Sequence, residues 1–63
     1  METQLVAIAA TRTHAKMNNK DEANKLAAEI VKDVLSRTSE YQEAYGIVDL
    51  MDLIEEVAKR TVA

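Results

Sequence analysis

Two consecutive stretches, residues 19–37 and 46–62, each carry an apolar face broader than one helical partner can cover in a chain of 63 residues. In the first, Ala23, Leu26, Ala27, Ile30, Val31, Val34 and Leu35 fall together when placed at 100° per residue. In the second, Ile47, Leu50, Met51, Leu53, Ile54, Val57 and Ala58 cover nearly half the circumference. Asp49, Asp52, Glu55, Glu56, Lys59 and Arg60 fill the other half. Residue Ala28 and the pair Leu53 and Val57 lie at face edges that a two-helix hairpin leaves open. Either the segment before residue 18 or another molecule must lie over them.

Local signals agree with helix for both stretches. The chain has no proline, and Gly46 is its only glycine, so the strongest helix breaker is missing and tight hairpin turns have few places to form. Asn19 followed by Glu22 has the spacing of a capping box, which predicts a helix from about Lys20 to Arg37. Asp21–Lys25 and Asp33–Arg37 are acid-first pairs four apart, the favourable orientation on a helix surface. The last helix is predicted over about Ile47 to Arg60, with Glu55–Lys59 and Glu56–Arg60 as further pairs and with acids early and bases late, as the helix dipole prefers. Between them, Ser39 and Gln42 offer a second capping-box spacing, and Gly46 predicts a short helical turn followed by a break.

Residues 3–17 read less clearly, as a helix, a strand or a partly disordered segment. Placed on a helix, Leu5 and Ile8 flank Arg12 while Val6, Ala10 and Met17 scatter. Placed on a strand, Val6, Ile8, Ala10, Arg12, His14 and Lys16 share one side. Four alanines and the length of the segment favour helix; Val6, Ile8, Thr11 and Thr13 favour strand. The expected fold is therefore all-α. It is one small helical domain, residues 1–63, built on an antiparallel helix hairpin of about 20–37 and 47–61. An N-terminal helix or strand joins it, and dimerisation completes the core.

A chain this short buries only about 60% of the surface its unfolded form exposes, which is why small domains need extra support. Here there is no cysteine, so disulfides and thiolate metal sites are excluded, and His14 is the only histidine. No metal or cofactor is expected. Ten alanines suit close helix packing, and oligomerisation is the other remedy. Catalysis is not expected either: no serine sits in a nucleophile elbow, and one glycine cannot make a phosphate-binding loop. The longest apolar run, Leu5 to Ala10, is too short to span a membrane and lacks a basic segment before it, so a cytoplasmic protein is expected.

The net charge of -3 argues against nonspecific nucleic-acid binding. It is unevenly spread, residues 1–20 carrying a net of +2 and residues 38–63 a net of -4. The acids Asp49, Asp52, Glu55 and Glu56 read foremost as the solvated side of an amphipathic helix. Tyr41 and Tyr45, four apart beside the glycine, read first as a cap on the open end of a core that otherwise lacks aromatics. They are also the first candidates for a binding hot spot, because tyrosine offers large area and a polar tip at low entropic cost. Leu53 and Val57 are candidates for a dimer contact.

The leading expectation is a small non-enzymatic interaction protein, an inhibitor, adaptor or assembly factor of the kind viruses and plasmids carry, with a protein partner and a homodimeric state. A second class follows from the order strand, helix, helix. With residues 5–16 as the strand, that order resembles the architecture of the ribbon–helix–helix repressors. The resemblance implies that Arg12, His14 and Lys16 would contact DNA from a shared ribbon face. The chain departs from that pattern in its long first helix, its long 38–46 junction and the acids Asp49 and Asp52, which would repel phosphates at a helix start.

Overall fold

Asn19 sets the start of the longest helix. Its side-chain oxygen accepts the backbone N–H of Asp21 at 2.9 Å and of Glu22 at 3.1 Å, giving partners to two of the donors that every helix start leaves free. In the computed structural model, which describes residues 2–63, this is helix α2 (Lys20–Ser36). It is one of four helices among the described residues, with α1 (Glu2–Lys16), α3 (Thr38–Tyr45) and α4 (Leu50–Thr61). No strand occurs among them.

The ambiguous first segment is therefore helical. Leu5, Ala9 and Thr13, spaced four apart, form its buried stripe. This overturns the extended ribbon over residues 5–16 on which the repressor resemblance rested. Local backbone preference and tertiary packing decide the matter together: the alanines favour helix, and the stripe finds a complementary surface on α2. Thr13 is the buried polar side chain of this contact, and its hydroxyl lies 3.1 Å from the carbonyl of Ala10 and 3.0 Å from that of Ala23. The one donor is shared between a local and an inter-helix acceptor, and among the described residues no buried side-chain nitrogen or oxygen lacks a hydrogen-bond partner. Three residues connect α1 to α2, and such short connections join antiparallel neighbours. Ala23 and Ala27 therefore meet the Leu5–Ala9–Thr13 stripe, and small side chains on both sides let the helices approach closely.

One cluster of buried residues unites three helices: Leu5 and Ala9 from α1, Ala27, Ile30, Val31 and Val34 from α2, and Leu53, Ile54, Val57 and Ala58 from α4. Helix α1 packs extensively on both α2 and α4, whereas α2 and α4 touch each other less. Much of the cover that the broad apolar faces demanded is thus supplied from within the chain, while Ala28, Leu35 and Met51 on those faces stay exposed. The Cα radius of gyration, 10.7 Å, is close to the ~10.6 Å that the size scaling of compact domains gives for this length, so α1 is folded back and is not an outstretched arm.

Helix α4 starts later than its apolar pattern suggests. The Asp49 carboxylate accepts the N–H of Asp52 at 3.0 Å and acts as the cap, so the helix begins at Leu50 instead of Ile47. The second capping box does not form. Ser39 already lies inside α3, whose N-cap is Arg37 with no side-chain cap bond, and the Gln42 amide donates to the carbonyl of Val48 at 2.8 Å instead. Gly46 ends α3 as its position implied. It takes the left-handed conformation, φ 67°, ψ 27°, and its N–H donates to the Gln42 carbonyl at 2.8 Å.

Candidate interaction site

Tyr41 and Tyr45 lie four apart on α3 and so share one side of it, half-buried, with ring centroids 6.0 Å apart and planes tilted by 36°. Each ring has an arginine over it. The Arg37 guanidinium carbon stands 5.3 Å from the Tyr41 centroid, and that of Arg60 stands 4.8 Å from Tyr45. At such distances the cation is attracted by the negative ring face.

Carboxylates hold both arginines in place. Arg37 engages Asp33 with two bonds, Nη2 to Oδ2 at 2.8 Å and Nε to Oδ1 at 3.2 Å, the forked geometry that fixes orientation as well as distance. The Tyr41 hydroxyl donates to the same Asp33 oxygen, and Arg37 Nη2 donates to that hydroxyl at 3.3 Å. Glu40 stands 3.9 Å from Arg37 on its other side. Across the rings, Arg60 Nε donates to Glu56 at 2.8 Å. Arg37, Glu40, Tyr41, Ala44 and Tyr45 line a shallow depression of about 230 Å³.

The electrostatics follow from these partners. Hydrogen bonds from Arg37 and then Tyr41 hold the Asp33 carboxyl below its ordinary range. The bond to Asp33 raises the Tyr41 phenol, since losing its proton would set two anions side by side, and it raises the Arg37 guanidinium as well. Arg60 lowers the Glu56 carboxyl in the same way. Each arginine of the corner is paired with a carboxylate. What the corner offers is oriented aromatic and guanidinium surface.

The other sequence candidates are dispersed or enclosed. Leu53 is 0% exposed and Val57 4%, so both belong to the core of the single chain and are not available at its surface. Arg12 pairs with Glu55 on α4 at 2.9 Å, and His14 Nε2 lies 2.7 Å from the Asn24 side-chain oxygen on α2. Lys16 is the last residue of α1 and exposed. The three do not form the shared ribbon face that DNA contact required. Of the four acid-first pairs, Asp33–Arg37 and Glu56–Arg60 close within 4.0 Å. Glu55 turns to Arg12 instead. Among the described residues, no group of three acid, histidine or cysteine side chains is placed to hold a metal ion. No helix there is long and apolar enough to cross a membrane.

Sequence reasoning singled out the tyrosines but not Asp33, Arg37 and Arg60, the groups that surround them. The i, i+4 spacing of 33, 37 and 41 was a usable signal, since helix continues nearly unbroken through these positions. For Arg60 no local signal exists, because only the return of α4 past α3 brings it over Tyr45. Large apolar side chains remain exposed at Val48 (83%), Met51 (48%) and Leu35 (36%), the first two flanking the start of α4. No family model matches the chain, and no curated protein or solved structure matches it either.

Proposed function

We propose that this protein is a small non-enzymatic interaction module of the cytoplasm, an inhibitor, adaptor or assembly factor, which associates through the α3 corner. The observation that carries this reading is the paired tyrosines, each with an arginine over its ring that a carboxylate holds in place. Tyrosine and arginine are the residue types that most often dominate binding energy at protein interfaces. Groups already oriented before association lose little freedom on binding, which favours affinity.

The partner proposed is a second copy. A two-fold interface must be self-complementary, and this corner carries both signs: Arg37 and Arg60 beside Asp33, Glu40 and Glu56. Ala44 leaves room in the depression for a side chain from the other copy. The centres of the broad faces of α2 and α4 do not drive this association, because they are buried within the chain. The patch is small, so the dimer should be weak and reversible.

Sedimentation equilibrium over a wide concentration range tests the idea. The wild type should show concentration-dependent association, and the double variant Tyr41→Ala, Tyr45→Ala should remain monomeric with its helical circular dichroism largely kept. A wild type that stays monomeric even at millimolar concentration rejects the second copy as partner.

A further inference from the structure

Helix α3 is attached to the rest of the molecule unlike the other three. None of its side chains is fully buried, and it touches α2 and α4 but not α1. The buried cluster draws every member from α1, α2 and α4, and α3 adds only the half-buried rings of Tyr41 and Tyr45 at its edge. Both of its ends leave the helical conformation. Arg37 sits at φ -133°, ψ 42°, and Gly46 at φ 67°, ψ 27°. The intervening backbone bonds close on themselves: Tyr41 N–H to the Arg37 carbonyl at 3.1 Å, and the Gly46 and Ile47 N–H groups to the Gln42 carbonyl at 2.8 and 3.2 Å.

What ties α3 down is a handful of side-chain contacts. The Tyr41 hydroxyl reaches Asp33, Arg60 lies over Tyr45, Gln42 holds the Val48 carbonyl, and the Thr38 hydroxyl reaches back to the Val34 carbonyl at 3.0 Å. The two rings also pack against the edge of the core. Segments with few buried contacts open at lower free energy than the whole molecule, and they open as contiguous units. Eight residues released from such contacts do not remain helical in water, because a helix that short cannot repay its nucleation.

We propose that α3 is a strap that detaches and unwinds as one unit, bounded by Arg37 and Gly46, while α1, α2 and α4 stay folded. The open state withdraws Tyr41 and Tyr45 from the core they lean on and bares apolar surface of α2 and α4 at that corner. Opening is a property of the isolated chain, so it stands or fails independently of any partner.

Amide hydrogen exchange of the full chain, followed residue by residue by NMR under native conditions, tests it. The N–H groups of Tyr41 to Ile47 should share one opening free energy and exchange at least about tenfold faster than those of Ile30, Val31 and Val34 in α2. Tyr41→Phe, which removes only the hydroxyl that reaches Asp33, should speed that set several-fold and leave the α2 rates unchanged. Three results would overturn the strap. In one, α3 amides exchange as slowly as those of α2. In another, Tyr41→Phe shifts both helices by the same factor. In the third, rates climb steadily towards one end of α3, the mark of fraying instead of concerted release.

Discussion

The contact between α1 and α2 and the corner around α3 solve the same problem with opposite materials. The first is almost purely steric. Leu5, Ala9, Ala23 and Ala27 are its buried apolar side chains, and one shared hydroxyl, that of Thr13, is the polar element. The second has no fully buried side chain and depends on Asp33, Arg37, Tyr41, Tyr45, Arg60 and Glu56 holding one another near water. Close packing is insensitive to salt and pH, whereas a half-exposed charged network responds to both. The difference teaches where a chain this small can place adjustable surface: not in the three-helix core, but on the helix that gives it no fully buried side chain.

The comparison breaks most visibly if a core deletion proves mild. Leu53→Ala should destabilise the chain by about 2–5 kcal/mol, the range for truncating a fully buried leucine, read from denaturant or thermal unfolding. For a domain of this length, whose whole stability is expected near 3–9 kcal/mol at typical per-residue values, that is a severe loss. Next comes Ala27→Leu. If the α1–α2 contact depends on closeness, the added bulk has nowhere to go and should cost about 1–3 kcal/mol by the same measurement. A neutral or stabilising Ala27→Leu would mean that the contact is looser than described.

Acid sharpens the contrast on a finer scale. The Asp33 carboxyl has a folded value below its ordinary 3.8, so its contribution is fully present above that ordinary value and is lost as pH falls through the lower folded one. Glu56, lowered by Arg60, adds in the same direction, and Glu40 faces the same arginine as Asp33. Amide shifts of residues 38–47 should therefore move towards random-coil values at a milder acidity than those of residues 23–34. Simultaneous loss in both regions would show that the corner and the core are one cooperative unit.

The parts of the fold that sequence reveals are those built from bulk. Helices α2 and α4 announce themselves through large apolar residues at helical spacing and, for α2, through the Asn19 cap. Helix α1 does not, because its buried stripe of Leu5, Ala9 and Thr13 contains a single large apolar side chain, and hydrophobic periodicity measures bulk, not proximity. The capping role of Asp49 is hidden for a related reason: an aspartate at the head of an apolar pattern serves equally as a cap or as a polar-face residue, and only the backbone turn distinguishes them. At the site, Tyr41, Tyr45 and the Asp33–Arg37 pair were legible from four-residue spacing. The stacking of Arg60 on Tyr45 was not, being a consequence of chain return.

Both tyrosines lie on α3, and the chain has no tryptophan. Every near-ultraviolet chromophore of consequence therefore reports from a single peripheral helix, while far-ultraviolet dichroism is dominated by α1, α2 and α4. Coincidence of such probes is the usual test of all-or-none unfolding. In this molecule the two optical signals belong to different regions by construction, so their divergence on heating would date the departure of α3 and would say nothing of an intermediate within the core.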